Sequence, residues 1–541
     1  MNRNQTRVIA LLSAAIILMA FLLSNRFWVR IDMTHNRAYT LSEVSRNLHR
    51  EITDLVTITY FVSDRLTRAH PLPREIADLL REYEVHSRGR IRFVQRDPAR
   101  EGVQRAVEEL GIIPHPIRLV ERNETTVATI YSGILIEYLD REAVIPVVFA
   151  LDTLEYDVSS RIRSLVRNVE REIGILVGDA HRQLNSDYLN LHRELFFAGF
   201  RVRSISPGEP IPPGLPALFV LGGAEDLDEY SLYLIDRFIR GGGNVLFAVN
   251  GVFVDIMGNL DARHIHDGGL LAMLANYGVV VQQALVLDNS ALNISFQTRS
   301  ETTVFFHTMR YPHWVAVQPH SANDEHPITA RFGGLDLFWA NPLELFPPPG
   351  ITAEPLFFTS DQAWLQSQSF VTNPNLFEFF AEEAYETMGR QILGASLSGV
   401  FPGAFEGRPR PLRPGMDNGA DEVLPELPVQ GRPARILVVG DSNFAGHMME
   451  VNRSEERNLS FLIRAADWLS NEDDMVAIRR RESLTGRLDL ITDPQRRDAV
   501  MNFSRSLNTI VIPLGVILTG IILLVRRKTK TKNIKGQTGD I

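Results

Sequence analysis

Apolar positions along this chain alternate between a helical and an extended period. Leu41, Val44 and Leu48 fall on one helical face, as do the apolar positions of Arg74–His86, whereas Val56–Val62 and Ile91–Gln95 are short runs rich in strand-forming residues. Thr40-Leu41-Ser42-Glu43 has the spacing of a capping box and opens the first helix. A helix near Gly102–Leu110, strands over Thr126–Tyr138 and Ala143–Phe149, and a helix from Glu155 to Arg171 continue the alternation. Residues 31–171 therefore read as a small α/β unit with a thioredoxin-like arrangement.

A second alternation starts with the strand Ile173–Val177, which ends in Gly178-Asp179. Helix Tyr188–Ala198, strand Leu218–Leu221 with Gly222-Gly223, helix Asp228–Ile239 and strand Val245–Val249 with Asn250-Gly251 follow. This is the pattern of a doubly wound parallel sheet over 172–290. From 291 to 400 the period weakens into an irregular, partly β insertion. Residues 401–433, rich in proline, glycine and charge, read as a flexible linker. Strand Ile436–Val439, ending in Gly440-Asp441-Ser442, and helix Asn458–Leu469 return the chain to the sheet over 434–506.

Two apolar runs, Val8–Leu23 and Ile510–Val525, bracket all of this. Each would span about 24 Å as helix and needs flanking residues, such as Phe27 and Trp28, to cross about 30 Å of hydrocarbon. The expected organisation is an N-terminal transmembrane anchor in 1–30 and a transmembrane helix at 507–525, with a basic tail at 526–541. Arg526, Arg527, Lys528, Lys530, Lys532 and Lys535 assign that tail to the cytoplasm. Both termini are then cytoplasmic and the large domain is outside the cytoplasmic membrane.

Charge and composition narrow the function. Residues 31–525 hold 46 Lys and Arg against 64 Asp and Glu, an acidic balance that argues against a nucleic-acid partner. Cysteine is absent, which removes thiol catalysis and Cys-ligated metals. All four lysines lie in the tail, so the large domain has neither a Schiff-base lysine nor a Walker lysine.

In order along the chain, Asp32-Met33-Thr34, Tyr39-Thr40-Leu41-Ser42, Leu154-Glu155-Tyr156, Gly241-Gly242-Gly243, Leu287-Asp288, Gly440-Asp441-Ser442-Asn443 and Asp467-Trp468-Leu469 resemble the GldG-type auxiliary components of ABC transport systems linked to gliding motility. The resemblance implies a membrane-tethered, non-catalytic subunit that works with a separate ABC permease and ATPase. It also implies a central unit similar to class I glutamine amidotransferases without their cysteine, and brings no catalytic residues or cofactors.

Three local patterns compete with that reading. Gly241–Gly243 joins a helix to the next strand, the wrong order for a phosphate loop, and reads as helix termination. Gly440-Asp441-Ser442 resembles the nucleophile block of GDS-type hydrolases, with Ser442 as nucleophile, but the only later histidine is His447 and the Asp261–His264 spacing lies upstream. Six histidines between His264 and His326, including the pair His264 and His266, are too scattered among aromatics and prolines to make a metal site the preferred reading. What remains is the shared rim of the strand ends, where small turn residues either simply close short strand–helix loops or form a recognition cleft with Asp179, Gly222, Gly223, Asn250, Asp441 and Ser442 as candidate ligand-binding residues.

Overall fold

The computed structural model describes residues 41–470 except 122–123, 150, 152, 169, 300–303, 331, 382–383 and 415–430. The two apolar runs and the basic tail lie outside the described residues. Among the described residues no helix is long and apolar enough to cross a membrane.

The first unit is built on strand Val56–Val62. It pairs parallel with Ile91–Arg96 and antiparallel with Ser132–Tyr138, which pairs antiparallel with Arg141–Ile145. Helix Leu72–His86 makes the crossover between the first two strands, with Pro73 in its first turn. Its Ile76, Leu79, Leu80 and Tyr83, at spacings of three and four, are buried against Ile58, Ile134 and Ile136. The first described helix is Glu43–Asn47, capped by Ser42, whose Oγ accepts from Ser45 N at 3.2 Å. Thr40, where the expected capping box starts, lies outside the described residues. The expected strand 126–138 is divided at Tyr131 into Glu124–Ile130, paired with His115–Glu121, and Ser132–Tyr138.

Nine strands form the second sheet: β1 (Glu172–Val177), β2 (Arg201–Ile205), β3 (Ala217–Leu221), β4 (Asn244–Ala248), β5 (Val279–Val281), β6 (Leu343–Leu345), β7 (Ile351–Phe358), β8 (Ile392–Gly399) and β9 (Ala434–Val439). β2, β1, β3, β4 and β9 lie side by side in that order and run parallel. β3 and β4 are buried along their whole length, in keeping with the apolar runs 217–221 and 245–248. Helices Leu189–Phe197 and Glu455–Leu469 pack on one face through Leu191, Leu195, Phe461 and Leu462. On the other face, helices Glu229–Arg240 and Leu270–Tyr277 contribute Ile235, Ile239, Leu270 and Leu274.

β8 pairs antiparallel with β9, and β6, β5 and β7 extend the sheet beyond it. Residues 291–400 are thus strand-rich, and part of them completes the main sheet. The rest includes Ala291–Arg299, Val304–Val317 and Leu335–Phe338 in a three-stranded sheet. Residues 401–414 differ from a free linker. Phe401 is buried with its ring 5.4 Å from Tyr277, and Ala404 N donates to Asp236 Oδ1 at 2.9 Å. Gly241–Gly243 ends helix Glu229–Arg240 as expected, with Gly242 at φ +92°.

Candidate functional site

The order of the parallel strands reverses between β1 and β3, and there the two connections leave the sheet in opposite directions. Gly178 N donates to Leu221 O at 2.9 Å, and Gly222 N donates to Ala248 O at 2.8 Å. A Cβ on Gly178 would lie 2.7 Å from Gly223 Cα, and Gly222 and Gly223 both have positive φ, so glycine permits this close crossing. Beyond it opens a cleft of about 300 Å³.

The cleft brings together Asp179, Gly222, Gly223, Asn250 and Ser442 from loops after four different strands. Asn250 Oδ1 accepts from Ser442 N at 2.7 Å, tying the loop after β4 to the loop after β9. Buried Asn341 supports this join: its Oδ1 accepts from Gly251 N at 2.9 Å and its Nδ2 donates to Ala284 O at 2.7 Å.

Asp441 does not line the cleft. It is fully buried, with Oδ2 accepting from Phe338 N and Oδ1 from Asn443 N, each at 2.7 Å. Burial pushes its pKa up to about 7 despite those hydrogen bonds and nearby Arg182. Its position suits holding the Ser442 loop rather than touching a ligand.

Sequence reasoning passed over four other residues of the cleft. Arg182 donates from Nη2 to Asn443 Oδ1 at 2.7 Å and lies with Nε 3.2 Å from Asp179 Oδ2. Its three-residue spacing from Asp179 was the available signal. Glu225 forms a two-point pair with Arg263 at 2.6 and 3.0 Å and accepts from His266 N at 2.9 Å. The pair with Arg263, helped by the His266 amide, holds the Glu225 carboxyl below its ordinary pKa. The Arg263 guanidinium lies 4.5 Å from the centre of the half-exposed Phe253 ring, another cleft residue. No local pattern marks this trio, because the hairpin Val252–Val254 with Ala262–His264 creates it.

Ser442 is buried, and its Oγ makes no hydrogen bond with a described residue. Neither His447 nor cleft-lining His181 is bonded to it. His264 and His266 do not converge: the His264 ring packs edge-on against Phe370 at 4.9 Å, and His266 engages Glu225 through its backbone. Among the described residues no group of three or more His, Asp or Glu could hold a metal ion.

A parallel sheet whose carboxyl edge opens into a polar cleft, joined to a smaller mixed sheet, places this molecule among α/β proteins with a strand-end site. The chain belongs to the ABC-type uncharacterized transport system family, whose model matches residues 170–476, more than half of its length. That membership associates it with transport as an auxiliary component. A domain of unknown function, DUF7088, matches residues 35–137. An uncharacterized protein of Borreliella burgdorferi is 23% identical over 541 residues, covering 98% of this chain and 99% of its own. Among solved structures, the N-terminal domain of mmIFT52 is similar with a TM-score of 0.31 and 12% identity, covering 55% of this chain and 96% of that domain. A ThuA-like protein of Parabacteroides merdae has a TM-score of 0.27 and 11% identity, with coverage of 56% and 90%.

Proposed function

We propose that this protein is a non-catalytic, membrane-anchored auxiliary subunit of an ABC-type transport complex of the GldG type, linked to gliding motility or envelope export. Its large domain stands outside the cytoplasmic membrane and its partners are a separate permease and ATPase. Family membership supports the transport association. The apolar runs and basic tail support the anchoring, and the absence of lysine before residue 528 supports an ATPase supplied by another subunit. The strand order of the first unit and its closing helix Leu154–Arg167 support a thioredoxin-like reading. The parallel run of β2, β1, β3, β4 and β9 supports an amidotransferase-like one for the second.

The observation that carries the non-catalytic role is the state of Ser442 in its cleft. Its Oγ has no hydrogen-bonded base among the described residues, while Asp179 is paired with Arg182 and Glu225 with Arg263. That arrangement suits recognition, with Asp179, Gly222, Gly223, Asn250 and Ser442 lining the cleft and Asp441 beneath. Purification of the full chain from its native membrane after mild crosslinking should recover a polytopic permease and an ATPase. Recovery of neither sinks the proposal, and ester hydrolysis that disappears in Ser442→Ala would replace it with the GDS-type reading.

A further inference from the structure

Strands Ala291–Arg299 and Val304–Val317 form a ribbon that outruns the rest of its three-stranded sheet. Leu335–Phe338 borders the second strand only along Trp314–Val317, and that strand is exposed over Val304–Thr308 before it becomes buried from His313 onward. The first strand stands at the end of the sheet. From Asn293, past the register shift after Ala291, it pairs regularly with its neighbour, while among the described residues no strand meets its other edge. Residues directly opposite each other share a face. Ile294 with Met309 and Phe296 with His307 therefore make one apolar stripe that leaves the core and runs outward, the Phe296 and His307 rings stacking at 5.2 Å. Asn293, Ser295 and Gln297 alternate onto the other face, where the Ser295 and Thr308 hydroxyls lie 3.0 Å apart.

An extended edge is ordinarily blunted by proline, lysine or an inward-pointing charge. This one is not: residues 291–298 and 304–309 contain no proline and no Asp, Glu, Lys or Arg, in a chain that is 22% charged. The large domain as a whole is acidic, so two copies repel one another except through an uncharged surface of this kind. The edge also matches itself. Laid antiparallel against its own copy about Ser295, Ile294 faces Phe296 of the second copy and Asn293 faces Gln297. Apolar residues then meet apolar residues on the stripe, amides meet amides on the opposite face, and no like charges come together.

We propose that the chain pairs with a second copy of itself through the edge Asn293–Gln297, joining the two ribbons into one antiparallel sheet about a twofold axis at Ser295. The stripe of Ile294 and Phe296 becomes continuous across the two copies. So short a ladder buries less than the roughly 1,200 Å² of a stable free-standing interface, which makes the pairing weak and calls for a test that traps it.

The chain has no cysteine, so introduced cysteines report the register without background. In native membranes treated with copper phenanthroline, full-length Ser295→Cys should form a disulfide-linked dimer. Asn293→Cys co-expressed with Gln297→Cys should do the same. Asn293→Cys alone should not, because its two copies lie about 14 Å apart along the strands, beyond disulfide reach. Adding Ser295→Lys to both members of the mixed pair sets like charges opposite each other and should lower the dimer yield about fivefold, and exchanging one of those lysines for Ser295→Glu should restore it. Asn293, Ser295 and Gln297 are exposed, so each variant should keep the thermal midpoint of the unmodified chain. No dimer from Ser295→Cys, equal yields from Asn293→Cys alone and from the mixed pair, or a photoreactive probe on Ser295→Cys that labels another polypeptide instead of this chain would each overturn the proposal.

Discussion

Arg171 and Asp467, 296 positions apart, meet at 2.5 Å in the protein interior, with side chains 3% and 0% exposed. The Tyr156 hydroxyl donates to the same Asp467 oxygen and accepts from Arg171 Nη2 at 2.7 Å. Arg171 also donates to Ala198 O at 2.9 Å and lies 3.9 Å from the centre of the Phe200 ring. One buried cluster therefore joins the helix leaving the first unit, the entry to β1 and the last described helix. Ser42 N donates to Glu155 Oε1 at 2.5 Å, adjacent in sequence to Tyr156. The segments Leu41-Ser42, Leu154-Glu155-Tyr156 and Asp467-Trp468-Leu469 resemble separate motifs along the chain but belong to one seam.

Breaking that pair from one side leaves a charge in the interior. Asp467→Leu and Arg171→Met should each destabilise the fold by about 3–5 kcal/mol. The double variant should cost less than the sum, because it removes both charges together. Thermal and urea unfolding of the four forms checks this, and strictly additive losses would refute the coupling.

His313 and Asp441 drive opposite pH dependences. The His313 ring is fully buried, with Nδ1 unpartnered and Nε2 3.3 Å from Gln366 Oε1, and burial pushes its pKa from 6.5 down to about 3. Between those values the unfolded chain holds the proton and the folded one does not, so this contribution is full above pH 6.5 and is lost as pH falls. For Asp441, raised from 3.8 to about 7, the folded chain holds the proton, so its contribution is present below pH 3.8 and is lost as pH rises through about 7. The two slopes oppose each other between pH 3.8 and 6.5, each at most about 1.4 kcal/mol per pH unit. Relative to the unmodified chain, Asp441→Asn should make stability rise more steeply with pH in this window, and His313→Leu should make it fall. Thermal midpoints across the window that shift in the same direction for both variants would contradict the assignment.

The parallel strands were legible because burial on both faces makes them continuous apolar runs, as in Leu218–Leu221 and Ile436–Val439. Their Gly-Asp and Gly-Gly ends were legible because tight crossings at the strand ends need small residues. β2 was not: Arg-Val-Arg-Ser-Ile at the sheet edge pairs its arginines with Glu170 and Glu172 and presents little apolar signal. β6, β7 and β8 were hidden for another reason. Prolines such as Pro355 and register shifts between Pro355 and Phe358 break the two-residue period of β7. Asp441 was placed at the correct loop but on the wrong side of it, since sequence does not reveal whether a carboxylate faces a cleft or the backbone amides behind it.

The strand crossing beneath the cleft provides a steric test. A Cβ on Gly223, at φ +93°, would lie 2.7 Å from Leu227 Cδ1 and 2.9 Å from Gly178 Cα, whereas one on Gly208, at φ +74°, would meet nothing within 4 Å. Gly208→Ala should carry only the left-handed backbone cost of about 1 kcal/mol. Gly223→Ala should add a clash and cost roughly 1–3 kcal/mol more. Equal thermal shifts for the two variants would mean that the crossing relaxes freely and does not define the cleft.

The proposed anchoring at both ends makes a definite prediction about topology. Six basic residues follow Ile510–Val525 without an equivalent cluster just before it, and each charged residue resists transfer across the membrane. With no long apolar helix among the described residues between the two runs, the chain should cross once near each end. Reporter fusions at residue 2 and after residue 535 should register as cytoplasmic, and a fusion at Gly419 as extracytoplasmic. Replacing Arg526, Arg527 and Lys528 with glutamine should weaken this orientation and yield a mixed population in protease-protection assays. A uniformly cytoplasmic signal at Gly419 would place the large domain on the same side as the ATPase and overturn the proposed arrangement.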